Sequence, residues 1–229
     1  MIHKLSQILQ DQSQVLHKHS HKILSKRDLS PSAFVLRLER NNLDFNPGQY
    51  IIVNLPGERI MREYSIYSGI KDSYIELLIK EVSNGFISKK LRGLNLGDNI
   101  EIEGAFGFFT VNENFLTTPP LLFVSTGTGI SPFHSFVRSY PELKYCLIQG
   151  VRYGYEIYDK SDYKHCVICT SRDDTGDYHG RVTDYLKNNP VAKDYWCYLS
   201  GNYSMIEEVA DIVISQGIPY QHILTEVHF

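Results

Sequence analysis

Arg62-Glu-Tyr-Ser-Ile-Tyr-Ser68 is the stretch of this chain best supplied with groups that could hold and orient a ligand. In an extended strand, side chains alternate between faces, which puts Arg62, Tyr64 and Ile66 on one side and Glu63, Ser65 and Tyr67 on the other. A forked cation beside an aromatic plate suits a ligand that is both anionic and flat, because Arg pairs with phosphate while Tyr offers a rigid face for stacking. A flavin dinucleotide has both properties. Read alone, the segment also fits an ordinary strand with an exposed charge, so the rest of the chain must decide.

The second chemical feature is Thr126-Gly-Thr-Gly129, which directly follows the apolar run Leu121-Leu-Phe-Val124 and precedes Ser131-Pro132, a suitable helix start. Glycines let the backbone turn sharply and approach a pyrophosphate, whose charge is favoured by free amide donors at a helix start. The loop falls at the carboxyl end of a strand, where ligands of open parallel sheets bind. The six-position glycine fingerprint is incomplete, so a purely structural turn is the competing reading.

The elements around these motifs divide in two. From Ile23 to about Val111, short extended runs (Phe34 to Leu38, Tyr50 to Leu55, Ser65 to Tyr67, Tyr74 to Ile79, Asn99 to Ile102) are separated by turn residues such as Asn46-Pro-Gly48 and Leu96-Gly-Asp98. With one short helix near Ser88 to Leu94, this predicts a small antiparallel barrel. Leu116-Thr-Thr-Pro-Pro120 interrupts regular structure. Beyond it, apolar strands alternate with helices: Tyr145 to Gln149, His165 to Cys169, the helix Arg181 to Lys187, Tyr195 to Ser200, the helix Ser204 to Gln216, and Ile223 to Glu226. That rhythm predicts a doubly wound parallel α/β sheet. The expected boundaries are an N-terminal extension over 1–22, a barrel over 23–117 and an α/β domain over 118–229. The extension reads as a short amphipathic helix ending in a solvated linker, His17-Lys-His-Ser-His-Lys22.

Bulk properties narrow the function. A chain of 229 residues has room for two domains of about 100 to 120 residues each. A net charge of −3, with no clustering of basic residues, leaves no electrostatic footprint for nucleic acid. No run approaches the roughly 18 to 20 apolar residues of a membrane span, and Met1-Ile-His-Lys-Leu-Ser-Gln lacks a secretory pattern. A soluble, cytoplasmic protein is expected. Of the cysteines, only Cys166-Val-Ile-Cys169 has a metal-like spacing, and its alternation reads as buried strand, so no metal or iron-sulfur site is expected. No Gly-x-Ser-x-Gly elbow supports a serine hydrolase.

Taken together, Arg62-Glu-Tyr-Ser-Ile-Tyr-Ser68, Gly85-Phe-Ile-Ser88, Gly104-Ala-Phe-Gly107, Gly127-Thr-Gly-Ile-Ser-Pro-Phe133 and Gly201-Asn-Tyr-Ser-Met-Ile206 occur in the order and spacing of the ferredoxin-NADP reductase family, bacterial type. The resemblance runs from about residue 22 to the terminus. It implies an FAD site in which Arg62 meets the diphosphate, Tyr64 stacks on the flavin, and Ser65 and Ile66 lie beside the ring. Gly85, Phe86, Ile87 and Ser88 resemble the second phosphate segment, and an aromatic terminus, His228 or Phe229, resembles the cover of the opposite flavin face. It also implies NADP binding by Thr126, Gly127, Thr128, Gly129, Gly201 and Met205, with Arg152, Ser171, Arg172 and Arg181 placed for the 2'-phosphate. An arginine cluster complements that dianion, which favours NADPH over NADH, although Asp173 and Asp174 oppose the local field.

Tyr64, Ser65, Ser200 and Glu226 are the expected positioning and tuning residues, since the cofactor itself carries hydride chemistry. Two departures stand out: Ser200 replaces the cysteine many family members place before Gly-Asn, and the chain ends Val227-His-Phe229. The resemblance implies hydride transfer from NADPH to FAD, then single electrons to a separate ferredoxin or flavodoxin. The reductase component of an oxygenase, a free-flavin or ferric reductase, and a non-catalytic flavin-binding regulatory module are the alternatives.

Overall fold

The computed structural model describes residues 19–228. Six strands form the first sheet: β1 (His19–Ser30), β2 (Ala33–Glu39), β3 (Tyr50–Asn54), β4 (Met61–Ser65), β5 (Tyr74–Lys80) and β6 (Asn99–Phe106), with helix α1 (Phe86–Gly93) between the last two. Their order is β4-β3-β6-β1-β2-β5, all antiparallel. The two outer strands meet through an Ile66–Leu77 bridge, which turns the open sheet into a barrel. Closure removes the free edges that otherwise invite pairing with other chains.

The second sheet comprises β7 (Leu121–Thr126), β8 (Tyr145–Val151), β9 (Cys166–Thr170), β10 (Tyr178–His179), β11 (Trp196–Gly201) and β12 (Ile223–Val227). They run parallel in the order β10-β9-β8-β7-β11-β12. Helices α2 (Ser131–Ser139), α3 (Val182–Asn188) and α4 (Tyr203–Ser215) complete the layers. β7 shows why its sequence is an unbroken apolar run: Leu121 and Phe123 pack into one core and Leu122 and Val124 into another, on opposite faces. On α4, Met205, Ile206, Val209, Ile212 and Val213 form the buried stripe, and Asn202 caps the helix by accepting from Met205 N at 2.9 Å. The predicted barrel followed by a doubly wound parallel sheet is the observed architecture.

The two halves share a core. Ala33, Val35, Tyr67 and Leu78 of the barrel pack in one cluster with Phe123, Phe133, Phe136, Tyr145 and Tyr198 of the second half. Phe109 tilts against Phe133 and meets Tyr198 edge-on, filling the seam. Polar ties run beside it: Arg27 donates both Nη atoms to Asp159 at 2.8 Å, and Arg138 pairs with Asp72 at 3.0 Å.

Two expectations change. The histidine-rich stretch read as solvated linker enters the barrel: His19 to Lys22 pair with β6, and His21 is buried. His21 Nδ1 donates to the Glu39 carbonyl at 2.7 Å, and burial pushes the imidazole below its ordinary value. The helix expected over the first 18 residues lies outside the described residues. Cys166 and Cys169 sit on β9, and burial pushes both thiols up to about 12. No helix among the described residues is long and apolar enough to cross a membrane.

Candidate functional site

The carboxyl end of the parallel sheet faces the end of β4, and four polar side chains meet there. Ser200 and Glu226 are partners in the β11–β12 register, which places both on the barrel-facing side. Ser65 Oγ donates to Glu226 Oε2 at 3.3 Å. His228 Nε2 lies 3.3 Å from the same oxygen and 3.1 Å from Ser200 Oγ. The His228 amide donates to Gly201 O at 2.8 Å, which holds the residue after β12 against β11. His228 is therefore a bridge between Ser200 and Glu226. Phe229 lies outside the described residues.

Tyr64 is half-buried against the barrel core, and burial, opposed by the charge of Arg62, pushes its phenol up to about 12. Arg62 is exposed, with Nη1 donating to the neighbouring Met61 carbonyl at 2.8 Å, so its fork is accessible from solvent. Ile66 is fully buried and its amide donates to Gln49 O. Its side chain belongs to the barrel interior, not to a ligand face. Gly85 immediately precedes α1, and no side chain caps the free amides of that helix. A Cβ at Gly85 would stand 2.3 Å from Val82 Cγ2 and 2.6 Å from Ser88 Oγ, so the tight turn requires glycine. Ser88 is buried, and its hydroxyl accepts from Val82 N at 3.4 Å. It braces the turn, leaving backbone amides as the donors facing outward. Ile87 is core, and Phe86 is exposed under the Lys90 ammonium. An ion pair between Lys90 and Glu58 ties α1 to the connection before β4.

A cleft of about 790 Å³ opens at the ends of β7, β8, β9 and β11. Thr126, Gly127, Thr128, Arg152, Ser171, Arg172, Arg181, Gly201 and Met205 all line it. Gly129 does not: it is buried, and a Cβ there would stand 2.5 Å from Ser200 O. Its role is the close approach of the loop to β11. Arg172 is exposed, with Nη1 3.4 Å from the Tyr153 hydroxyl, and Tyr153 stacks on Tyr155 at 5.3 Å. The acidic neighbours are already engaged. Asp173 accepts from Gly154 N at 2.8 Å and Asp174 pairs with His179 at 2.7 Å, while Arg152, Arg172 and Arg181 line the cleft together with Lys80, Glu156 and Glu208.

Sequence reading missed Lys80 and Glu156, which line the same cleft. Lys80 Nζ donates to Glu156 Oε1 at 2.9 Å, and Glu156 Oε2 accepts from the amides of Arg152 and Tyr153. Burial acts to raise this carboxyl, but Lys80 and the two amides outweigh it and hold it below the ordinary value. The pair lies 76 positions apart in the chain, and no local pattern announces it.

Residues 19–111 match the family model described as the oxidoreductase FAD-binding domain. The chain is 30% identical over 215 residues to the toluate 1,2-dioxygenase electron transfer component of Pseudomonas putida, covering 86% of this chain and 63% of that protein. It is 26% identical over 231 residues to the ferredoxin--NADP reductase of Azotobacter vinelandii, covering 86% and 89%. The fold superposes with a TM-score of 0.85 on a ferredoxin NADP+ reductase from Neisseria gonorrhoeae solved with bound FAD and NADP, at 21% identity over 93% of this chain and 99% of that one. Across both halves the chain is similar to ferredoxin--NADP reductases in sequence and in fold. The chain spans 89% of the Azotobacter vinelandii reductase and less than two thirds of the dioxygenase electron transfer component. The matched residues cover the barrel, and the parallel sheet follows them in the chain.

Proposed function

We propose that this chain is an FAD-dependent oxidoreductase that takes a hydride from NADPH and passes electrons singly to a separate, cytoplasmic carrier protein such as ferredoxin or flavodoxin. The observation that carries the reading is the meeting of Ser65, at the end of the flavin-side strand, with Glu226, His228 and Ser200 beside an arginine-lined cleft. The residues fit both cofactors. Arg62 and the free amides after Gly85 present donors to a diphosphate, and Tyr64 offers an aromatic plate two residues along the same face. Arg152, Arg172 and Arg181 complement a phosphate that NADH lacks.

FAD, when bound, supplies the capacity to accept two electrons together and release them one at a time. The protein's own work is positioning. Gly127 and Gly201 let backbone approach the nicotinamide dinucleotide, both with positive φ (54° and 149°). Ser200 and Ser65 border the reacting edge from opposite domains. Glu226 accepts from the Ser65 hydroxyl and the His228 imidazole on one oxygen and so orients those two groups.

Anaerobic addition of NADPH to the purified yellow protein should bleach the flavin, and ferredoxin or flavodoxin should then restore its colour catalytically. Absence of bleaching by NADPH and NADH would instead identify a non-catalytic flavin-binding module. The likeness to the toluate dioxygenase component supports a second reading, the reductase partner of an oxygenase. Turnover with an oxygenase-type iron-sulfur acceptor and none with flavodoxin would favour it, while activity only with free flavin or ferric chelate would remove the carrier-protein reading altogether.

A further inference from the structure

Helix α2 carries a buried imidazole that none of the steps above uses. His134 is 2% exposed, and both of its ring nitrogens face acceptors. Nδ1 lies 2.6 Å from the Tyr67 carbonyl and Nε2 lies 3.0 Å from Asp162 Oδ2. A neutral imidazole has one N–H and one lone pair, so it would turn a lone pair toward one of these oxygens in a buried site. The imidazolium donates to both. Its ring also lies flat on Tyr67, with centroids 3.6 Å apart and planes 7° from parallel, and an aromatic face favours a cation above it.

The surrounding charges agree. Asp162 is its direct partner, and the hydrogen bond from His134 holds that carboxyl below its ordinary value. Asp159 accepts from the Tyr67 hydroxyl at 2.9 Å and is itself paired with Arg27. Arg138 stands 4.0 Å from Asp162 but is bound more closely to Asp72. Tyr163 meets the ring edge-on at 5.9 Å. Tyr67 is thus gripped at its carbonyl, its ring face and its hydroxyl by residues of the second half, two positions downstream of Ser65.

We propose that His134 is held as an imidazolium that clamps Tyr67 to the second domain and so positions Ser65 against Glu226. The clamp stands on geometry alone. Its effect on turnover rests on the hydride transfer proposed above.

Long-range proton–nitrogen NMR of the full-length protein decides the first part. At about pH 7 both His134 ring nitrogens should resonate as protonated. A neutral-tautomer pattern would overturn the clamp, whatever the protein's activity. For the second part, Asp162→Asn removes the carboxylate from a partly exposed position, which leaves the core intact. It should speed amide exchange at Tyr67 to Gly69 and lower kcat with NADPH about tenfold with KM changed less than about twofold, as expected for loss of geometry. Asp162→Glu should restore much of the rate. Unchanged exchange and kcat in Asp162→Asn would overturn the positioning role. A wild-type protein that NADPH does not reduce would instead refute the functional reading and leave the NMR result standing.

Discussion

Ser65 and Glu226, 161 positions apart in the chain, meet at 3.3 Å across the two domains. The contact joins the end of β4 in the barrel to β12 of the parallel sheet. Ser65→Ala and Glu226→Gln should therefore lower kcat at saturating NADPH by about tenfold to hundredfold, with little change in KM, as lost positioning at the reacting edge would. Stopped-flow reduction of the flavin measures this directly, and wild-type rates in both variants would remove the cluster from the mechanism.

Arg172 and Arg181 line the cleft, where the carboxylate of Glu156 is already paired with Lys80. Replacing either by Ala should raise KM for NADPH by about tenfold to hundredfold, the worth of a charge-assisted hydrogen bond, while KM for NADH stays within about twofold. Steady-state kinetics with both coenzymes checks it. Equal effects would mean that the arginines do not meet the 2'-phosphate.

Gly129→Ala tests the close packing of the Gly127-Thr-Gly129 loop on β11. The added Cβ would stand 2.5 Å from Ser200 O and 2.8 Å from Gly201 Cα, contacts with backbone that cannot rotate away. A cost of about 1–3 kcal/mol follows from overpacking, or a Tm lower by about 2–10 °C for a protein of this size. Calorimetry would detect it, and an unchanged Tm would show that the loop yields freely.

Asp159 links the domains with a pH signature. Burial acts to raise its carboxyl, yet Arg27 and the Tyr67 hydroxyl outweigh burial and hold it below the ordinary value. A carboxyl depressed in the folded state contributes stability that is complete above its unfolded value, about pH 4, and is lost as pH falls through the folded value. Asp159→Asn should be less stable at neutral pH, by a modest amount because Arg27 is half-exposed and solvent screens the pair. It should also lose less stability than wild type on acidification below about pH 4. Urea titrations across pH 2–7 provide the comparison, and parallel curves for the two proteins would contradict it.

Much of the fold was legible because the signals were local. Leu121 to Val124 followed by Thr126 to Gly129 announces strand, loop and helix within a dozen positions, and the structure has them in that order. The start of the barrel was not legible, because β1 alternates His, Lys and Arg outward with so few apolar residues inward that His21 must serve as one of them. Most of the residues read from the strand ends as nucleotide-side candidates line the cleft. Ser88 and Ile66, named for contact with ligand, are buried, and Gly129, named likewise, lies where a Cβ would meet the backbone of β11. Lys80 with Glu156, and His134 with Tyr67 and Asp162, depend on contacts between distant segments, which no single stretch of sequence encodes.

The aromatic seam between the halves also constrains how such proteins can be recombined. Ala33, Val35, Tyr67 and Leu78 are shaped to one set of partners, Phe123, Phe133, Phe136 and Tyr198. A coenzyme-binding half grafted from a relative would bring its own set and leave voids or clashes at closely packed positions. Chimeras that exchange whole halves should misfold more often than those that exchange only the loops carrying Arg152, Arg172 and Arg181, so the seam marks where modularity in this protein stops.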